Sequence, residues 1–379
     1  MTVLAGARVV TPNGVRDPGW VEVVGSHIAA VGDGPPGSKP AIDLGGAWLL
    51  PGFIDLHVHG GGGHDFAASA ADMAAGVFYH RSCGTTRTLV SLVSAPVDVL
   101  CEQLAWAAAL AAGGPRSEGH VIGAHLEGPF LSHARCGAQN SSSLLLPDQA
   151  VLADLLVAGR GFVRSVTLAP ELPGALELID ILIGQQIIAA VGHTDATYDQ
   201  ATAAFRRGAT LATHLFNGMR PVHHREPGPV LAALDEHAAC EVINDGVHVH
   251  SSVLRLVAGR GANMLVLVTD AIDATGVGDG RYSVGGQEVI VKDVEPRLAS
   301  TGGLAGSTLT MDGAVRRAVL DTGLPVEVAA AAASTNPARV LGLSNDCGAI
   351  SIGLSADMVV LDEHFAVQSV MCQGQWVIT

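Results

Sequence analysis

The chain has 379 residues, 48% of them hydrophobic and 15% charged, a core-forming composition that excludes a disordered chain. Its 47 glycines follow no three-residue repeat, which excludes collagen. A net charge of −15, from 21 basic and 36 acidic side chains, argues against nucleic-acid and anionic-membrane partners.

Residues 2–10, 20–24, 28–31 and 47–50 are short β-rich runs separated by Gly, Pro and Asp. The opening residues lack the basic-then-apolar pattern of a signal peptide. Beyond residue 52 the pattern changes. Apolar, β-branched runs recur at 53–58, 88–93, 121–126, 163–168, 187–191, 210–215, 241–244 and 264–269. Ala/Leu-rich stretches with helical spacing, such as 97–112, 148–158 and 195–207, lie between most of them. Eight strand–helix repeats predict an α/β fold, a (β/α)8 TIM-like barrel; a doubly wound sheet is the alternative, but near-equal repeats favour closure. Residues 312–322 and 326–341 predict helices leading out of the barrel, and 350–352, 358–361, 367–372 and 375–378 read as short strands. The two β-rich ends predict one small β-sandwich domain, built from residues 1–51 and 345–379 around a barrel at 52–344. No apolar run approaches the roughly 18 residues of a membrane span. Six scattered cysteines form no Cys-x-x-Cys pair, so a reduced, cytoplasmic protein is expected.

Metal-competent side chains sit at the ends of these runs. His57 and His59 end the first, and residues i and i+2 of a strand share a face, so both imidazoles can reach one point inside the barrel. Glu127 ends the third run, His193 the fifth, His214 the sixth and Asp270 the eighth. Six such groups at the carboxyl ends of five strands converge where barrel enzymes place their active sites. Imidazole and carboxylate without thiolate suit Zn²⁺, with Fe, Co or Mn as alternatives, and an open coordination position would activate a water. His125 shares a face with Glu127, where packing and a supporting role are both open. His27, His80, His120, His237 and His364 read as structural or surface residues. Arg220, His223, His224 and Arg225 cluster in an otherwise acidic chain; they are either a solvated loop or an anion site. Gly60-Gly61-Gly62-Gly63 lacks the Lys-Ser/Thr of a phosphate loop and reads as a flexible loop beside the metal ligands.

The chain resembles the amidohydrolase superfamily and, within it, the N-acetylglucosamine-6-phosphate deacetylases. Pro51-Gly52-Phe53-Ile54-Asp55 and the closing Gly348-x-Ile350-x-x-Gly353-x-x-Ala356-Asp357 carry the general likeness. The specific pieces are His125-Leu126-Glu127-Gly128-Pro129-Phe130, Gly192-His193-Thr194-Asp195-Ala196, Thr213-His214-Leu215-Phe216-Asn217-Gly218-Met219, Arg225-Glu226-Pro227-Gly228 and Asp245-Gly246-Val247-His248. The resemblance implies Glu127, His193 and His214 as principal metal ligands and Asp270 as the base that activates water and then protonates the leaving amine. His57 and His59 imply a second ion, with Glu127 placed to bridge, so one or two ions per subunit. Relatives bridged by a carboxylated lysine are poor matches, because neither Lys39 nor Lys292 ends a barrel strand.

The same resemblance implies that Arg225 and His248, the latter in a motif with Asp245, hold a sugar phosphate across a homodimer interface. Asn217, Gly218, Leu304, Ala305 and Gly306 would contact the substrate, and Ala138 and Gln139 would line the sugar. Cys136 is a candidate for a mobile lid over the site. The implied reaction is hydrolysis of the acetamide of N-acetylglucosamine 6-phosphate to glucosamine 6-phosphate and acetate, in amino-sugar catabolism and cell-wall recycling. The alternatives are a deaminase or cyclic amidase, a non-catalytic metal-binding barrel, or a sugar-phosphate sensor, for which the sequence shows no DNA-binding module.

Overall fold

The computed structural model describes residues 1–37, 39–114 and 120–378. Eight parallel strands hydrogen-bond in chain order: β1 (Phe53–Val58), β2 (Thr85–Val93), β3 (Val121–Glu127), β4 (Val163–Leu168), β5 (Ile188–Val191), β6 (Leu211–Ala212), β7 (Ala239–Ile243) and β8 (Leu265–Val268). All residues of β1, β2, β7 and β8 are buried, as expected when helices cover a parallel sheet. The last strand meets the first through side chain and loop. The Asp55 carboxylate accepts from Thr269 Oγ1 (2.6 Å) and from the Thr269 N–H (3.3 Å). Asp270 N–H donates to the His57 carbonyl, and His59 N–H to that of Ala271, each at 2.8 Å. The expected barrel is thus present.

Caps trim the expected helices. Asp148 accepts from the N–H groups of Ala150 and Val151, so that helix is Gln149–Ala158. Thr197 and Gln200 form a capping box ahead of Tyr198–Arg206. Residues 326–341 are two helices, Val326–Ala333 and Thr335–Val340. Pro337 has no N–H for the Ala333 carbonyl and its ring would clash there, so one continuous helix cannot form. The sixth run pairs only over Leu211–Ala212, because His214 (φ +28°) and Phe216 (φ +80°) turn the chain into the barrel mouth.

The termini together build one mostly antiparallel sheet. Its strands run in the order Gln375–Ile378, Val367–Cys372, Met358–Leu361, Trp48–Pro51, Thr2–Thr11, Gly14–Val24, His27–Asp33, with Ile42–Asp43 beside Thr2–Thr11. Leu4, Val21, Ile28, Leu49, Met358 and Met371 form its core. Residues 350–352 are not a strand: Gly353 (φ +88°) turns the chain, and its N–H donates to the Ile28 carbonyl. A three-stranded antiparallel sheet, Gly280–Val284, Gln287–Lys292 and Glu295–Leu298, stands between β8 and the last helices, unforeseen from sequence. The glycine run is not a free loop. Gly60–Gly61 pairs with His64–Asp65, and Gly62 N–H donates to the Thr275 carbonyl.

Arg87 joins barrel and terminal sheet. Its Nε and Nη2 bond Asp357 at 3.1 and 3.0 Å, both side chains about 5% exposed, and Nη1 bonds Asp346 at 2.7 Å. Removing one partner of a buried pair costs about 3–5 kcal/mol, because the other charge stays buried. Arg87→Met is expected to lose stability of that order in denaturant unfolding.

Candidate metal centre and active site

The carboxyl ends of the strands carry two clusters of buried ligands. His57 and His59 of the first strand end face Asp270 after β8; Glu127 of β3 faces His193 after β5 and His214 after β6. The Nε2 atoms of His57 and His59 are 3.0 Å apart, and so are those of His193 and His214. Glu127 joins the clusters. Its Oε1 lies 2.9 Å from His193 Nε2 and 3.0 Å from His214 Nε2, while Oε2 lies 3.3 Å from His59 Nε2. Asp270 Oδ1 is 3.2 Å from His59 Nε2 and 3.5 Å from His57 Nε2.

The outer ring nitrogens reveal what the inner ones must meet. His57 Nδ1 faces Glu241 Oε2 (3.1 Å), His59 Nδ1 the Ser91 carbonyl (3.2 Å) and His193 Nδ1 the Arg135 carbonyl (2.8 Å). Acceptors at Nδ1 assign the proton there, so Nε2 presents a lone pair. As neutral rings, His57 and His59 would face each other lone pair to lone pair, with carboxylates alongside, out of water. A divalent cation fits this donor set and resolves the repulsion; a dry cavity would not. Four imidazoles and two carboxylates suit zinc or another first-row ion.

Without an ion the groups lean on one another. Burial would push the Asp270 carboxyl up, but His57 and His59 outweigh it and hold it below the usual carboxylate range. Burial likewise opposes ionisation of Glu127, and His57, His193 and His214 overcome it. Burial and the neighbouring His57 push His125 well below its ordinary value, so it is neutral. It bridges Ser91 Oγ (2.9 Å) and Thr167 Oγ1 (2.8 Å) and stands edge-on to His57, a packing and orienting role.

Local backbone conformation aims these groups. His193 (φ +44°), His214 (φ +28°) and Asp270 (φ +49°) are left-handed although none is glycine. Such residues cost about 1–3 kcal/mol each and cluster where surroundings over-determine them.

The clusters floor a cavity of about 400 Å³. Ala138, Gln139, Asn217, Gly218, His248, Leu304 and Gly306 line it, together with Val93, Ile272, Val284 and Leu298. Four expected contacts fall elsewhere. Ala305 is fully buried behind the wall, bonded to the Pro296 carbonyl. Asp245 supports rather than lines: its Oδ2 takes His248 Nδ1 at 2.6 Å, and its Oδ1 accepts the N–H groups of Val247 and His248. Arg225 lies in a separate depression with Arg220, Tyr198 and Glu226. Cys136 is half-buried on the loop that crosses the site, but its thiol is not on the cavity wall. Gln139 reaches the cavity with its amide already engaged, Nε2 to Glu127 Oε2 (2.7 Å) and Oε1 to Ser94 N–H (2.8 Å). Lys292 ends a strand of the three-stranded sheet, and Lys39 pairs with Glu22 of the terminal sheet.

Sequence reasoning missed Glu241. It is buried in β7, takes His57 Nδ1 and accepts the His214 N–H at 3.2 Å, so it ties the two clusters together from behind. The available signal was a carboxylate inside an otherwise apolar strand, Ala239–Ile243.

Comparison with known proteins agrees with this geometry. The family model described as "Amidohydrolase family" matches residues 48–377. The N-acetylglucosamine-6-phosphate deacetylase of Bos taurus is 40% identical over 347 residues, covering 88% of this chain and 84% of that one. The N-acetylgalactosamine-6-phosphate deacetylase of Escherichia coli O157:H7 is 38% identical over 376 residues, 98% of each chain. Among solved structures, a variant of the Mycobacterium smegmatis N-acetyl-D-glucosamine-6-phosphate deacetylase in complex with N-acetyl-D-glucosamine-6-phosphate superposes with a TM-score of 0.95 at 42% identity. It covers all of this chain and 99% of its own.

His57→Asn is expected to lower the zinc content per chain while sparing the site built on His193 and His214, measured by elemental analysis after dialysis. Glu241→Gln keeps the shape but frees the His57 ring, and should weaken the same ion by about 10–100-fold in chelator competition.

Proposed function

The chain belongs to the amidohydrolase family, and from that premise we propose that it hydrolyses the acetamide of N-acetylglucosamine 6-phosphate, releasing acetate and glucosamine 6-phosphate. The observation that carries the reading is the pair of imidazole–carboxylate clusters sharing Glu127, with Asp270 beside them and His248 lining the same cavity. Relatives named as deacetylases of two epimeric amino-sugar phosphates support the substrate class.

His57, His59, Glu127, His193 and His214 would hold one or two divalent ions, Zn²⁺ in this reading. Such an ion supplies Lewis acidity and an activated water. The chain's own residues do the rest. Asp270, ionised beside the imidazoles, accepts the proton from the attacking water and returns it to the departing nitrogen, which could not leave as an amide anion. His248 is the cationic group on the cavity wall. Burial would depress its pKa, but the hydrogen bond and charge of Asp245 raise it, which suits a phosphate oxygen. Val93, Ile272, Val284 and Leu298 give the cavity an apolar side that limits water.

Arg225 is exposed and remote from its own chain's cavity wall, on a loop that also exposes Val222. We assign it to the phosphate of a second copy, in a homodimer. Six free cysteines support a cytoplasmic assignment.

Acetate release is expected from the phosphorylated sugar and to be far weaker from N-acetylglucosamine; equal release from both would contradict the reading. Asp270→Asn should lose turnover by about 10²–10⁴-fold, since it cannot carry the proton. Metal content should remain. If excess metal restored turnover in that variant, Asp270 would be a ligand and not the base. Arg225→Ala should raise KM for the sugar phosphate and leave kcat nearly unchanged, and adding wild-type chains should rescue only through mixed dimers.

A further inference from the structure

We propose that Asp195 is a positioning residue for His193, cross-bracing the two loops that set the angle of that imidazole. The inference rests on the metal-site reading above. His193 stands in a left-handed conformation at the end of β5, and its own backbone does not fix the ring. Neighbouring loops do. Its Nδ1–H donates to the Arg135 carbonyl at 2.8 Å, and its peptide carbonyl accepts the Ser132 N–H at 2.9 Å. Both partners belong to the loop of residues 131–139. On the other side, Gly218 (φ +59°) packs so closely that a Cβ there would lie 2.9 Å from His193 Nδ1.

Asp195 holds both loops, one with each carboxylate oxygen. Oδ1 accepts from Arg135 Nε at 2.7 Å, and Oδ2 accepts from Arg220 Nη2 at 2.8 Å. Arg220 N–H donates to the Thr194 carbonyl at 3.0 Å, and Thr194 N–H to the Gly218 carbonyl at 2.9 Å. Asp195 is itself anchored: its N–H donates to Glu171 Oε1 (2.7 Å), whose Oε2 accepts Thr194 Oγ1 (2.5 Å). The residue two places beyond the ligand therefore ties the carbonyl that orients the ring to the loop that packs against it.

The ion pairs are about 30% exposed on each side. Pairs so exposed add little to global stability. Their consequence is local, in how firmly the Arg135 carbonyl is presented. Groups that orient a metal-binding imidazole typically cost 10–100-fold in metal affinity when removed.

The test is zinc affinity of the full chain, stripped with chelator and titrated in competition with a chromogenic chelator. Asp195→Asn should bind one ion about 10–100-fold more weakly, with the unfolding midpoint of the metal-free protein unchanged. Arg135→Gln, which keeps the carbonyl, should show the same loss, and the double variant no more than either single one, because one brace is removed in each case. Arg220→Gln, which unties only the second loop, should show a smaller loss and serves should Asp195→Asn fold poorly. Unchanged zinc affinity in Asp195→Asn and Arg220→Gln, or losses that multiply in the double variant, would overturn the proposal. Wild-type protein that binds no zinc would overturn the metal reading itself.

Discussion

The structure turns on the crowding of four imidazoles and two carboxylates out of water, a donor set that a divalent cation fits. Imidazole Nε2 atoms stand 3.0 Å apart in each cluster at the barrel mouth, with Glu127 and Asp270 between and beside them. In water such groups would separate or take up protons. Here three of the four rings are held from behind, His57 by Glu241, His59 by the Ser91 carbonyl and His193 by the Arg135 carbonyl, and burial keeps water from screening them. A parallel barrel makes this affordable, since all eight strands end on one face and each can deliver a side chain to a common point. The left-handed residues at three of these ends show the backbone bent to that purpose.

Around that centre the cavity divides by chemistry. Asp245 and His248 form a charged pair at one side, while Val93, Ile272, Val284 and Leu298 form an apolar side. Val284 and Leu298 come from the three-stranded sheet after β8, whose Gln287 Nε2 donates to the Ala138 carbonyl at 2.6 Å. The sheet is thereby tied to the loop that carries Ala138 and Gln139. Gln139 in turn fixes Glu127, so the wall of the cavity and the bridging carboxylate are one connected structure.

Much of this was legible because it follows from period and polarity. His57 and His59 are two apart on a strand and must share a face, and a polar residue ending an apolar run marks a barrel mouth. What escaped has physical reasons. Glu241 lies inside a strand, and only the fold brings it behind His57. Gln139 and Asp245 act through neighbours, and no spacing encodes that. The sheet at 280–298 has alternating burial, Val289 and Val291 in, Glu288 and Lys292 out, but it interrupts a strand–helix rhythm that drew attention elsewhere. Residues 350–352 have strand composition, and a single left-handed glycine overrides it. Arg225 is the clearest limit, because its motif does not encode that its side chain lies off its own chain's cavity wall.

The central claim is that the two ligand clusters, joined through Glu127, are a metal site. Anomalous X-ray diffraction at the zinc edge, on crystals equilibrated with Zn²⁺, tests it directly. The account predicts zinc at the clusters, between His57 and His59, among Glu127, His193 and His214, or at both. No peak at either cluster, or zinc bound only outside them, would contradict it.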